Sequence, residues 1–297
     1  MTLLTCFLIP KPFLGLDGVH QHNTLAFLQS LGVEVLLLGD EPGAAEAAQR
    51  FGAKHLPELP RNEQGTPLVN ASFALASAHA TAPHLCYLNA DILLPQPQFL
   101  DVAKHCLHAY PDALLTGCRM DLDLPDPLSP GQETWSTLRA RAKREGVRRY
   151  PAAMDYFVFP KGAFADMPAF AIGRPGWDNW MVYAALKANH PVIDLSADLM
   201  VIHQNHTYHH IPGGTEAYRN GPESQSNRHL AGGYLHLYNL RDATHHLVKG
   251  RLLPRRWKLS LYPAYRWFMH ATTRWPRLRA AVRAMIHPLR SLRRDRD

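Results

Sequence analysis

Leu85-Cys86-Tyr87-Leu88-Asn89-Ala90-Asp91-Ile92-Leu93-Leu94 is the stretch on which the fold turns. With His84 before it, its apolar opening reads as a short buried strand over His84 to Leu88, and the polar Asn89-Ala90-Asp91 step ends that strand before apolar residues resume. Open α/β sheets bind ligands in the crevice beyond the carboxyl ends of their strands, which is where this turn places Asp91. Asn89 and Asp91, two residues apart, are candidates to face one divalent cation or its waters. A turn closed by an Asx hydrogen bond is the other reading of the same residues.

Upstream, strands are expected at Thr2 to Ile9 and Val33 to Leu38. Helices are expected at His22 to Leu31 and Ala44 to Phe51, closed by Gly32 and Gly52, and over Pro67 to Ala80 with Thr66 as N-cap. Downstream come a helix over Gln98 to Ala109, a strand over Ala113 to Cys118, and a polar loop with a basic helix over Asp121 to Arg149. A strand at Ala152 to Pro160, a helix at Trp177 to Asn189 and short strands at Val192 to Asp194 and Leu199 to His203 follow. Gln204 to Arg228 reads as loop, and the chain from Leu235 as helical pieces broken at Pro254, Pro263, Pro276 and Pro288. Strands alternating with helices imply an α/β fold with a mainly parallel sheet flanked by helices. The division expected is a domain over 1–234 and a basic, aromatic helical appendage over 235–297.

With 297 residues, 46% of them apolar, the chain can bury a full core. Its net charge of +7 is unevenly placed. Residues 249–297 hold fourteen Lys or Arg against two Asp, while the other 248 residues hold 18 basic and 23 acidic ones. An acidic body with a basic tail argues against nucleic acid as partner and for an anionic surface at the tail. Trp257, Tyr262, Tyr265, Trp267 and Trp275 interleave with that charge, a pattern suited to anionic lipid headgroups or to packing on the main domain. Cys6, Cys86, Cys106 and Cys118 fall at no metal-ligand spacing, so a reducing cytoplasmic compartment is expected. The apolar run of Met1 to Phe13 lacks a basic start, and Pro10 and Pro12 interrupt it, so it reads as the first strand rather than a signal peptide.

The stretch from Leu85 to Leu94 resembles the strand and Asp-x-Asp turn of GT-A (Rossmann-like) glycosyltransferases. Asp155-Tyr156-Phe157-Val158-Phe159-Pro160, Gly173-Arg174-Pro175-Gly176-Trp177-Asp178-Asn179-Trp180 and Val201-Ile202-His203-Gln204-Asn205-His206 resemble segments of bacterial polysaccharide glycosyltransferases of that superfamily. Together these cover about residues 1 to 210, with one departure: Asn89 stands where the pattern has its first Asp. The resemblance implies a nucleotide-diphosphate sugar as donor, a glycan or lipid-linked acceptor, and Mn2+ or Mg2+ held by Asp91 and Asn89 with His203 or His206. It places Pro10, Lys11 and Asp40 in the donor crevice, and Asp178 at the start of a helix as general base of an inverting transfer.

Several of these residues carry a second reading. Asp178 is also a helix cap, Arg174 a phosphate ligand or a salt-bridge partner, and Asp40 a nucleoside contact or a solvated loop residue. Asp155, Tyr156, Trp177 and Trp180 are candidates to meet the acceptor, the aromatics also being core candidates. Asp121-Leu122-Asp123, a literal Asp-x-Asp, competes for the metal, although Arg119 would neutralise it. His209 and His210 extend the histidine cluster, and such loops also bind adventitious metal. A non-catalytic glycan- or membrane-binding module and a sugar nucleotidyltransferase are the rival functions. The second would want a glycine-rich basic loop after the first strand, and Leu8 to Gly18 holds few glycines. A bacterial surface glycan, extended at the inner face of the cytoplasmic membrane, is the setting the resemblance suggests.

Overall fold

The structure, a computed structural model, describes residues 2–95, 98–206, 214–255, 262–272 and 275. The first half runs β1 (Leu4–Leu8), α1 (Gly15–Leu31), β2 (Glu34–Leu38), α2 (Ala44–Phe51), β3 (Lys54–Leu56), α3 (Val69–His79), β4 (His84–Leu88), β5 (Ile92–Leu93), α4 (Gln98–Ala109) and β6 (Leu114–Thr116). Next come β7 (Arg119–Leu122), α5 (Gln132–Glu145), β8 (Val147–Arg148), β9 (Tyr156–Pro160), α6 (Trp177–Lys187), β10 (Val192–Asp194) and β11 (Val201–Gln204). The chain continues with α7 (Gly214–Asn220), α8 (Pro222–Leu230), β12 (His245–Val248), β13 (Arg251–Pro254) and α9 (Tyr262–Ala271).

Nine strands form the main sheet in the order β13-β12-β10-β6-β9-β4-β1-β2-β3. Only β9 and β13 run against their neighbours, so the expected α/β architecture with a mainly parallel sheet is what the chain forms. Alternate residues explain the apolar runs. Cys86 and Leu88 of β4 join the core beneath α1, α2 and α4, whereas Leu85 and Tyr87 join the one beneath α3 and α6. A strand covered on both faces needs apolar residues at every position. Gly32 and Gly52 close α1 and α2 at φ 68° and 67°, a conformation that costs a side-chain-bearing residue more.

Chain order reverses between β1 and β4: β1, β2 and β3 step one way, and β4 lies on the other side of β1. That switch point leaves a crevice beyond the carboxyl ends of β1 and β4, where Lys11 and Asp91 follow. A second sheet, β5-β11-β7-β8, stands over it. From α1, Asn23 donates to Gln204 Oε1 (2.8 Å), and Gln204 Nε2 donates back to the His20 carbonyl (2.9 Å), fastening β11 to the first helix.

Four expectations need correction. Thr66 does not cap α3, which begins at Val69 without a side-chain cap; the Thr66 N–H instead donates to Asn62 Oδ1. Asp121 and Leu122, the start of the expected loop, belong instead to β7, where Asp121 meets His203 of the neighbouring strand. Gln204 to Arg228 holds α7 and α8; α8 is polar because its buried Asn227 clamps the N–H and C=O of Ala171, both at 2.9 Å. Finally, ten residues of the stretch expected to be helical form the β12-β13 hairpin, which extends the main sheet. Its Lys249-Gly250 turn takes positive φ at both residues (52° and 72°), the conformation of a two-residue hairpin turn.

Candidate active site

Asp91, His203 and His206 come together at the switch point. One ligand atom of each lies within 4.8 Å of the others, enough to surround a cation. His206 Nε2 is 3.1 Å and His203 Nε2 3.8 Å from Asp91 Oδ2. β11 sets His203 between Ile92 of β5 and Asp121 of β7, so its position follows from sheet register. Burial acts to raise the Asp91 pKa, but His203 and His206 outweigh it and hold the carboxyl below the usual range. Asp91 Oδ1 is buried without a hydrogen-bond partner. An orphaned buried oxygen beside two imidazoles is a donor set that fits a divalent cation.

Asn89 faces the other way. Its amide donates to Asp155 Oδ1 (2.8 Å), its carbonyl oxygen accepts from the Tyr87 hydroxyl (2.7 Å), and its backbone N–H donates to the Asp155 carbonyl. Both ends of the side chain are engaged away from Asp91, which corrects the expectation of Asn89 as a ligand. Arg119 then joins Asp155 (2.8 Å) to Asp121 (2.8 Å), and Asp121 Oδ1 lies 3.1 Å from His203 Nδ1. The contacts make a ring: Asn89, Asp155, Arg119, Asp121, His203, Asp91, closed through Ala90. Asp121 is therefore behind the metal group, paired with Arg119 and Arg149, and Asp123 accepts from Asn205 (2.7 Å) nearer the surface. Neither residue of the literal Asp-x-Asp joins the three-residue group.

Beside this ring opens a cleft of about 320 Å³ lined by Arg119, Arg149, Tyr150, Asp155, Asp178 and Tyr218 together with 151–153. Asp178 sits in the first turn of α6, where its Oδ1 accepts the Gly176 N–H (3.2 Å). Burial pushes its pKa up to about 6, and the Asp155 charge adds to the rise, while the N–H groups of Asn179 and Gly176 oppose it. Neither Arg149 nor Tyr218 was singled out from the sequence; Arg149 lay within a stretch read only as basic.

The remaining candidates are placed as follows. Lys11 pairs with Asp17 (3.1 Å) and its charge reaches Asp91, and Pro10 is buried at the end of β1. Asp40 is exposed and paired with Arg61 (2.8 Å). Arg174 pairs with Glu223 (2.7 Å), which corrects its reading as a phosphate ligand in favour of the structural salt bridge. Tyr156 and Trp177 are core residues instead of acceptor contacts: Tyr156 is 1% exposed, and Trp177 packs edge-on against Tyr87 at 5.0 Å. Trp180 is half-buried against Phe170. His209, His210 and Trp257 lie outside the described residues, as do the side chains of Tyr262 and Tyr265.

Fold and site together define an α/β protein with a metal-competent Asp-His-His group at its switch point and a carboxyl-bearing cleft alongside. No protein-family model and no curated protein matches the chain. Among solved structures it is similar to S. aureus TarS 1-349 (10% identity, TM-score 0.46, covering 68% of this chain and 60% of that one). It is also similar to glucosyl-3-phosphoglycerate synthase from Mycobacterium tuberculosis in complex with Mn2+, UDP and phosphoglyceric acid (12%, 0.46, 78% and 79%). A third is the mannosyltransferase PcManGT from Pyrobaculum calidifontis in complex with GDP-Man and Mn2+ (13%, 0.44, 68% and 57%). These neighbours are GT-A glycosyltransferases, and the chain spans about 60% of the length of that TarS structure. Likeness at this level assigns no activity.

Proposed function

We propose that the chain transfers a sugar from a nucleotide-diphosphate donor to a hydroxyl of a glycan or lipid-linked acceptor, with inversion at the anomeric carbon. The observation that carries this reading is the juxtaposition of the Asp91-His203-His206 group with the Asp178 cleft, joined through the contact between Asn89 and Asp155. Asp91, His203 and His206 would hold the cation, and two imidazoles favour Mn2+ over Mg2+. When bound, the cation supplies positive charge to the diphosphate oxygens.

Asp178 takes the acceptor proton. As the hydroxyl oxygen forms its bond to the anomeric carbon, the bond from that carbon to the diphosphate oxygen breaks and the nucleoside diphosphate leaves with the electron pair. A carboxyl with a pKa of about 6 is a stronger base than an ordinary one, yet is still ionised roughly ten to one at pH 7. Lys11 adds positive charge at the donor side of Asp91. Titration calorimetry of UDP, GDP and CDP with and without Mn2+ tests the reading. It expects binding of one of them that depends on Mn2+ and is lost in D91A; no nucleotide binding under any condition favours the non-catalytic module.

A second reading concerns location. Among the described residues no helix is long and apolar enough to cross a membrane. Trp267 and Trp275 are 65% and 61% exposed within the basic tail. These exposed indoles support a peripheral site on anionic lipid at the inner face of the cytoplasmic membrane, beside a lipid-linked glycan acceptor. Co-sedimentation with phosphatidylglycerol vesicles is expected and should fall when both tryptophans become alanine; a native chain that stays in the supernatant rejects this location.

A further inference from the structure

The geometry points to Asp121 as the positioning residue of the metal group: it sets which ring nitrogen of His203 faces the cation, and ties that ligand to the acceptor cleft. The inference rests on the proposed metal-dependent reading. Asp121 and His203 are register partners on β7 and β11, so their side chains leave adjacent strands at the same level. Asp121 Oδ1 is 3.1 Å from His203 Nδ1, a charge approach and not an aligned hydrogen bond, since Nδ1 is buried without a hydrogen-bond partner, whereas His203 Nε2 is the nitrogen turned toward Asp91. A neutral imidazole carries one proton. A carboxylate beside Nδ1 keeps the proton there and leaves the Nε2 lone pair for a cation.

Asp121 is itself held firmly. It is 4% exposed; Arg119 Nε donates to Oδ1 at 2.8 Å and Arg149 Nε to Oδ2 at 2.5 Å. Two guanidinium groups let a carboxylate remain charged in so dry a place. Both arginines also line the cleft that Asp155 and Asp178 share. The path from metal ligand to acceptor cleft is thus His203, Asp121, Arg149, with Arg119 as a parallel branch. The first Asp of the literal Asp-x-Asp acts through the histidine behind which it stands, with no place among the ligands.

The test has two readouts. Free Mn2+ followed by electron paramagnetic resonance gives the affinity of the native chain and of D121N, with circular dichroism confirming the fold. D121N should bind Mn2+ at least tenfold more weakly, within the 10–100-fold loss typical of such outer contacts; a folded D121N within twofold of native overturns the proposal. Should D121N not fold, long-range proton–nitrogen correlation on the metal-free native chain decides, with H203Q supplying the assignment. The proton on His203 Nδ1 is expected, and a proton on Nε2 overturns the proposal. A native chain that binds no Mn2+ sinks the metal reading as well, whereas a binding native chain with an unaffected D121N sinks only the role of Asp121.

Discussion

Placing at position 89 the acidic residue that the Asp-x-Asp pattern has there should damage the protein. Asn89 Nδ2 lies 2.8 Å from Asp155 Oδ1, and in N89D a carboxylate oxygen takes the place of that donor. Two like charges about 4 Å apart repel by about 4 kcal/mol at the effective dielectric of a half-buried site. The folded chain can escape by protonating one carboxyl, but keeping an ordinary carboxyl neutral at pH 7 also costs about 4 kcal/mol. Both routes give the same size of loss, roughly 10 °C in Tm for a domain of this scale. The sign of the pH dependence follows. The pKa of the introduced carboxyl is raised in the folded state, so the penalty is absent below the unfolded value of about 4 and grows by about 1.4 kcal/mol per pH unit up to the folded pKa. Thermal unfolding of native and N89D at pH 4, 5, 6 and 7 reads this directly. A Tm at pH 7 within 2 °C of native, or a gap that does not close on acidification, refutes the reasoning. Mn2+ binding supplies a second discriminator: were Asn89 a weakened ligand, N89D would tighten binding, and the ring predicts that it does not.

D178N should lose at least about a hundredfold in turnover, the ordinary contribution of a general base. If the proposed transfer holds, kcat/KM of the native chain should climb tenfold per pH unit to a plateau above about pH 6, since the base works ionised and its pKa is pushed up to about 6. The same substitution should raise Tm at pH 7 and give no gain below pH 4, because a raised carboxyl pKa destabilises the fold only where the unfolded chain is already ionised; a profile flat from pH 5 to 8 rejects Asp178 as the base. G117A should lower stability by about 1–3 kcal/mol through overpacking, since its Cβ would sit 2.5 Å from the Tyr156 hydroxyl. That hydroxyl is buried without a hydrogen-bond partner. Y156F alone should therefore be neutral or stabilising, and Y156F with G117A should recover most of the loss; urea midpoints of the four proteins would reveal additive effects if the clash is elsewhere.

Legibility in the sequence followed the range of the forces. The bounds of α2, β4, α4 and β10 match their expected residues because an apolar run, a closing glycine or a flanking proline is a local cause. The end of β7 reads as loop in the sequence because Asp121 suits a strand only once His203 lies alongside, 82 positions later. The candidate site divides in the same way. Asp91 was legible from the strand that ends at it, and the histidines from the strand that β11 became. Asn89 was misread because its partner, Asp155, is 66 residues away. Tyr156 and Trp177 were offered to the acceptor because an aromatic side chain does not show which core it fills.

Asparagine at position 89 then has a physical cause. An ionised carboxylate only accepts hydrogen bonds, and Asp155 already has one oxygen on Arg119, so the oxygen facing Asn89 needs a donor. A carboxylate in that place supplies none, whereas asparagine supplies one while its own oxygen takes the Tyr87 proton. Asp91, two residues on, meets two imidazoles and no carboxylate, so acidity is favoured there for the reason it is disfavoured two residues earlier. The departure from the Asp-x-Asp pattern thus moves one negative charge out of the crevice without removing the orphaned Asp91 oxygen on which the proposed cation binding depends.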